Sequence, residues 1–229
     1  MLAIAYREFI QLFKSFKSIA VIVLFCGISY WISSLLNKYP ILMNESQLSA
    51  GYVSGITVLL YLFGFLFVMT LSHDILNKEM ETQTIRLIVT KVSRSAVLLG
   101  KLVGIALFWL VCLLLSFLII SLFSGQFYLL KLLQLFSFLT YPIGLVLIVS
   151  LLVRRTGHSI LFSLLGGILF PWIGLWSYYG EPASWKLIKY AMPYYYLLQE
   201  QSAWLSLVPF AMACLMVIAA VTAFNRRDI

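Results

Sequence analysis

Long apolar runs separated by short polar segments dominate this chain. Six runs of about 20 residues or more are apolar on every side of a helical wheel, and a helix of that length crosses a bilayer core about 30 Å thick. A transmembrane strand would instead alternate apolar and polar residues over about 10 positions. The pattern therefore predicts an all-α integral membrane protein with spans at 18–36, 53–72, 96–123, 133–153, 159–178 and 204–224.

Residues 2–17, before the first span, have a different periodicity. At 100° per residue, an aromatic face and a polar face separate on opposite sides of a helix. The aromatic face carries Leu2, Tyr6, Phe9, Phe13 and Phe16, and the polar face carries Arg7, Glu8, Gln11, Lys14 and Ser15. Because this segment leads directly into a span, we expect an amphipathic interfacial helix with its aromatic face in lipid.

The segment 179–203, before the last span, is too rich in aromatic residues for a solvated loop. Pro193 interrupts it, since proline cannot continue a helix from the preceding turn. The sequence predicts short helices at 183–192 and 194–201. We expect them to lie at the outer surface or to re-enter the membrane.

The basic residues determine the predicted orientation, because short cytoplasmic loops carry an excess of Lys and Arg. With the N-terminus inside, twelve of the 16 basic residues are cytoplasmic: Arg7, Lys14, Lys17, Lys78, Arg86, Lys91, Arg94, Lys101, Arg154, Arg155, Arg226 and Arg227. Lys38, Lys131, Lys186 and Lys189 remain outside. Both termini are therefore predicted to be cytoplasmic, in a multi-pass protein of the cell membrane. The formal charge of +8 is then mainly a topology signal, and no nucleic-acid partner is expected.

Composition and motifs restrict the possible function. The chain is 62% hydrophobic and 10% charged, whereas a soluble domain has about 25% charged residues. The central parts of the spans contain no ionisable residue, which disfavours ion-coupled transport. The sequence also lacks HExxH, GxSxG and GxxxxGK[ST] motifs, so we predict no catalytic residue, no metal site and no nucleotide bound by this chain.

The most polar part of the chain joins the second and third predicted spans and reads HDILNKEMETQTIRLIVTKVSRSAVLLGK from His73 to Lys101. A short helix over about 76–90 would align Leu76, Met80 and Leu87 in one apolar stripe. Two interpretations are equally open at this point. The stripe docks into a groove of a soluble partner, or the segment is an ordinary interfacial loop helix. Lys101 is expected to extend toward lipid headgroups.

This stretch resembles one found in permeases of the type-2 ABC exporter family. The resemblance is carried by Glu81-Thr82-Gln83-Thr84-Ile85, then Val92-Ser93-Arg94, then Gly100-Lys101. The family usually has an acidic residue, Gly-Thr and an aliphatic residue, then Ser-Arg, then Gly-Lys at the start of the third span. Gln83 stands where the family commonly has glycine. The basic ending AFNRRDI, the amphipathic first helix and the six spans are also similar.

The resemblance implies a single transmembrane domain over 1–229 that works as a dimer, expected here to be a homodimer. Each subunit would pair with a separate cytoplasmic ATPase, which binds ATP and Mg²⁺, so this chain itself is not an enzyme. The segment between spans two and three would be the coupling helix that contacts the ATPase. Its candidate contact residues are Lys78, Glu79, Glu81, Thr84, Arg86 and Arg94.

A route lined by aromatic and aliphatic side chains suits amphipathic or hydrophobic cargo, such as a peptide, a toxin, an antimicrobial compound or a lipophilic drug. Its candidate lining residues are Phe170, Trp172, Trp176, Tyr194, Tyr195 and Tyr196. They are equally well interpreted as lipid-facing anchors. Two alternative functions are export of a polysaccharide or lipid-linked glycan, and a membrane scaffold or immunity protein that transports nothing.

Overall fold

The computed structural model describes residues 1–39, 45–82, 92–153, 156–179, 185–198 and 204–226. Every regular element in these ranges is helical. The helices are α1 (Leu2–Lys14), α2 (Phe16–Lys38), α3 (Glu45–Ser72), α4 (Asn77–Glu81), α5 (Arg94–Ser124), α6 (Leu129–Leu152), α7 (Thr156–Tyr179), α8 (Trp185–Ala191), α9 (Pro193–Leu198) and α10 (Val208–Asn225), with a short 3₁₀ helix at Leu205–Leu207 before α10.

The predicted fold class is confirmed: the protein is an all-α integral membrane protein. Within the described ranges, six helical stretches are long and apolar enough to cross a membrane. They correspond to α2, to most of α3 together with α4 (Ser49–Glu81), and to α5, α6, α7 and α10. The largest difference in bounds is at α3, which begins at Glu45 rather than at the predicted residue 53. A helix continues past its apolar run because each added residue gains a backbone hydrogen bond.

Helix α6 lies at the centre of the bundle. In its most apolar window 72% of the residues are buried, against 28% for α7 and 22% for both α2 and α10. Helix α6 packs against α3, α5, α7 and α10, while α2 packs against α3 and α5. The exposed faces of the outer helices carry large apolar side chains, such as Phe162 and Leu165 on α7. Lipid tails solvate such faces as well as a protein core does.

The two ends of the bundle differ in composition. We call one the basic end, formed by α1, α4, the first turns of α5 and α7, and the last turn of α10. We call the other the aromatic end, formed by α8 and α9 with the segments they contact. The predicted pair of short helices is present at the aromatic end, and the break at Pro193 is the first residue of α9.

Helix α1 is present, but its aromatic face does not lie wholly in lipid as expected. Leu2, Tyr6 and Phe16 are exposed, whereas Phe9 and Phe13 pack against the buried core. The ring of Phe13 lies edge-on to Phe108 of α5, with 5.2 Å between centroids. Helix α1 is therefore packed along α5 by part of the face that periodicity assigned to lipid.

Candidate functional site

Three elements meet through one lysine at the basic end. The Nζ atom of Lys101 on α5 lies 2.7 Å from Oε1 of Glu8 on α1 and 3.0 Å from Oε1 of Glu79 on α4. The Lys101 side chain is only 5% exposed, and those of Glu8 and Glu79 are 16% and 17% exposed. Lys101 thus does not extend to the headgroups as expected, because two carboxylates inside the protein satisfy its charge.

Two glycines bring α1 close enough for this contact. A Cβ atom at Gly104 would lie 2.7 Å from the backbone oxygen of Ala5 and 2.8 Å from Cβ of Glu8. A Cβ atom at Gly100 would lie 3.0 Å from the backbone oxygen of Met1. Gly100 and Gly104 are spaced as GxxxG, the pattern that allows helix backbones to approach closely in membranes. Lys101 follows the first of them, next to the face that receives α1.

Hydrogen bonds between buried groups attach the beginning of α4 to α6. The Ser150 hydroxyl donates to Oδ1 of Asn77 at 2.8 Å and accepts from the backbone N–H of Leu76 at 3.2 Å. Ser150 and Asn77 are both fully buried. The serine therefore satisfies a backbone donor and a side-chain acceptor that would otherwise be costly to bury.

The end of α4 is attached to α7. Oε2 of Glu81 accepts hydrogen bonds from the backbone N–H of Thr156, at 3.3 Å, and from the Thr156 hydroxyl. Thr156 is the first residue of α7, where unpaired N–H groups and the helix dipole favour a negative charge. One turn further along, the Ser159 hydroxyl donates to the backbone oxygen of His73 at 2.8 Å.

These contacts test whether the apolar stripe is free to dock on a partner, for the two of its residues that the structure describes. Leu76 is completely buried in the core of this chain, and Met80 is packed against that core. The docking of this stripe into a groove of a soluble partner is therefore wrong for Leu76, because its surface is already covered by the bundle. Leu87 lies outside the described residues.

The predicted ATPase-contact residues have different positions. Glu79 and Glu81 bind α5 and α7 as described above, and Lys78 is exposed. Arg94 donates from Nη1 to the backbone oxygen of Asn225, at the end of α10, over 3.4 Å. Thr84 and Arg86 lie outside the described residues. Lys78 and Glu79 also line a polar cleft of about 770 Å³ between α1 and α4, together with Arg7, Gln11 and Asp74.

Among the predicted cargo-lining residues, Tyr194 lies deepest in the bundle. Its side chain is 0% exposed, and its hydroxyl donates to the backbone oxygen of Tyr61, near the middle of α3, at 2.7 Å. Its ring stacks on Phe65 with 5.8 Å between centroids. A Cβ atom at Gly174 of α7 would lie 2.3 Å from Cδ2 of Tyr194.

Of the other five aromatic residues, only Phe170 shares a ring neighbour with Tyr194. Phe170 stacks on Phe65 from the opposite helix, with 5.8 Å between centroids. Trp172 and Trp176 point outward and are 68% and 66% exposed. Tyr195 and Tyr196 pack edge-to-face on each other, and Tyr196 donates to the backbone oxygen of Tyr190 at 2.8 Å. The six residues therefore form no single cluster: Phe170 and Tyr194 meet around Phe65, and Tyr195 and Tyr196 pack on each other.

An apolar cleft of about 230 Å³ opens between α3 and α7 beside these residues. Its lining includes Leu66, Gly167, Pro171 and Trp172. Trp172 is the predicted cargo residue that reaches it.

Sequence reasoning missed several residues at the basic end: Glu8 as a partner of Lys101, Asn77 with Ser150, Thr156 with Glu81, and Gly104. The GxxxG spacing in an apolar run was a usable signal for the close approach of a helix. Nothing in the local pattern distinguishes Ser150 from the other span serines, because its partner is 73 positions away in the chain.

No protein-family model matches this chain, and no curated protein sequence matches it. Among the described residues, no group of three or more His, Cys, Asp or Glu side chains is placed to hold a metal ion. The class that the fold defines is therefore that of an integral membrane protein with six candidate spans in the described ranges, and any finer assignment must come from the site.

Proposed function

We propose that this chain is the membrane-spanning subunit of an ATP-driven exporter of the type-2 ABC kind. In this proposal a separate cytoplasmic ATPase binds ATP and Mg²⁺ and drives movements of a dimer of this chain. The basic end would face the cytoplasm, because most of the Lys and Arg residues lie there. The cargo would be amphipathic or hydrophobic, with peptides and lipophilic compounds as the leading candidates.

The observation that carries the proposal is the set of attachments of α4. This five-residue helix follows α3 after a short turn, and it binds α5 through Glu79, α6 through Asn77 and α7 through Glu81. Through these contacts, a movement of α4 caused by a partner would be passed to three spans of the bundle. The exposed Lys78 and the polar cleft next to it leave a surface for that partner.

The cargo class is supported by the apolar cleft between α3 and α7. Charged cargo would lose its hydration against such walls without compensation. The exposed tryptophans Trp172 and Trp176 beside the cleft have large apolar faces with one N–H donor each, a combination that suits amphipathic molecules.

The test is purification of the tagged chain from its native cells in mild detergent, with mass spectrometry and an ATPase assay of the eluate. We expect an ATPase in stoichiometric amount. Lys78→Glu should reduce its recovery, whereas the matched Lys131→Glu at the aromatic end should not. A dimer recovered without any ATPase would overturn the proposal and favour a scaffold or immunity protein.

A further inference from the structure

The charges at the basic end are distributed unevenly: one buried lysine serves two carboxylates. Glu8 and Glu79 belong to elements separated by the whole of α2 and α3 in the chain, and both Oε1 atoms reach Nζ of Lys101 within 3.0 Å. An ammonium group has three donors and can satisfy both carboxylates at once. If Lys101 were absent, two carboxylates that are 16% and 17% exposed would both lose this ion-pair partner.

The surrounding packing gives the lysine a fixed position. Gly100 and Gly104 hold α1 against α5 on one side of it, and Val97 and Leu98, both fully buried, precede it on α5. On the other side, the attachment of Leu76 and Asn77 to Ser150 fixes where α4 begins. The Lys101 ammonium is thus the point at which an interfacial helix, a loop helix and a span are joined by charge.

We propose that Lys101 is a positioning residue that makes α1, α4 and the first turns of α5 one mechanical unit. A movement of α4 is then passed to the third span and to α1 together. Separating the Lys101 ammonium from either carboxylate would leave a buried charge without that partner, which is costly. This inference rests on the proposed function for the origin of the force, but the joint itself is a property of this chain alone.

The first experiment tests, in the isolated chain without an ATPase, whether Lys101 holds α1 and α4 in place. Cys26 and Cys214 are replaced by alanine, and a cysteine is placed at Ala5 on α1 or at Ile75 beside α4, both buried in the native chain. In nanodiscs, the labelling rate by a water-soluble maleimide reports release of each element. The buried native Cys112 in the middle of α5 reports general unfolding.

We expect Lys101→Met to raise the labelling of both new cysteines about tenfold or more, as expected when a buried charge loses its partner, while Cys112 stays slow. Glu79→Gln should raise labelling at position 75 more than at position 5, and Glu8→Gln should do the reverse. Lys101→Arg should restore much of the protection, and Lys131→Met, which removes an exposed lysine, should change nothing. Unchanged labelling in Lys101→Met, or equally fast labelling of Cys112, would overturn the proposal that Lys101 joins α1 to α4.

The second experiment tests delivery of the movement, using the complex purified from native cells. Tyr190→Cys on α8 is exposed at the aromatic end, and its labelling is compared with and without ATP, Mg²⁺ and vanadate. We expect a nucleotide-dependent change that Lys101→Met abolishes while the ATPase still co-purifies. A change that survives in Lys101→Met would overturn the inference and leave the proposed function intact. If no ATPase accompanies the chain, the proposed function fails, and the labelling at positions 5 and 75 still decides whether Lys101 joins α1 to α4.

Discussion

The basic end and the aromatic end are held together by different interactions. At the basic end, separate elements are joined by charged and polar side chains, with Lys101, Glu81 and Ser150 as the connecting residues. At the aromatic end, α9 enters the bundle and is held by ring packing around Phe65, with hydroxyl groups bound to backbone oxygens. Ion pairs can exchange partners with little change in shape, but packed rings cannot, because an interior at crystal-like density leaves no room to move.

This difference implies a division of roles. The aromatic end is built to keep α8 and α9 in one position relative to α3, α6 and α7. The Tyr141 hydroxyl on α6 donates to the backbone oxygen of Ala191 at 2.9 Å, which adds a second attachment beside that of Tyr194. The basic end keeps α1, α4 and α5 connected through the two ion pairs that Lys101 makes.

The largest expected loss of stability comes from a substitution at the aromatic end. Tyr194→Ala removes a fully buried ring and should lower the free energy of unfolding by about 3–5 kcal/mol, as for other large aromatic residues in packed cores. The measurement is thermal unfolding in nanodiscs. The control is Trp176→Ala, which removes a 66% exposed ring. A comparable loss in both variants would mean that Tyr194 is not a packing centre.

The next largest loss of stability is expected from a substitution at the basic end. Lys101→Met should cost about 3 kcal/mol, at the lower limit for breaking a buried pair because the carboxylates of Glu8 and Glu79 are 16% and 17% exposed. Chemical or thermal unfolding of the purified chain measures it, with Lys131→Met as the exposed control. If adding either Glu8→Gln or Glu79→Gln to Lys101→Met restored no stability, the ion-pair explanation would be wrong.

A smaller effect separates polar attachment from charge. Ser150→Ala leaves the N–H of Leu76 and Oδ1 of Asn77 without their serine partner, and should cost about 2 kcal/mol because both groups are buried. The same unfolding assay applies. Ser121→Ala on α5 is the matched control, since that hydroxyl donates to a carbonyl of its own helix at an exposed position. Equal losses of stability in the two variants would show that the link between α4 and α6 contributes no more than an exposed hydrogen bond.

The smallest effect sharpens the description of the aromatic end. Tyr194→Phe keeps the ring and removes the hydroxyl that donates to Tyr61, so the loss should be about 1 kcal/mol. If hydrogen bonding rather than ring packing held α9, this variant would approach Tyr194→Ala in its effect. If Tyr194→Phe loses less than a third of the stability that Tyr194→Ala loses, ring packing is the main attachment of α9.

Particular elements show how far the sequence could be interpreted. The spans follow from long apolar runs, and the break at Pro193 follows from the chemistry of proline, so both were predictable. The lipid-facing interpretation of Phe9 and Phe13 was wrong because periodicity reports only that a face is apolar. It cannot distinguish lipid from the apolar flank of another helix, which is equally favourable.

The candidate site shows the same limit. The polar stretch between α3 and α5 was recognised from its charges, and Glu79 and Glu81 were named within it as candidate ATPase contacts. Their role as partners of a soluble ATPase stays a prediction, since the structure gives each of them a partner within the chain. The stripe that includes Leu76 looked like a docking surface because its covering helices are distant in sequence.

The sequence by itself determined that this protein is an all-α membrane protein, how many spans it has, and where its basic residues concentrate. These properties depend on the length and polarity of contiguous segments, which a bilayer selects directly. Only the tertiary structure decided that Lys101 joins α1 to α4, that Ser150 holds Asn77, and that Tyr194 fills the bundle beside Phe65. Such contacts join residues tens of positions apart, and they form only when packing has brought the helices into register.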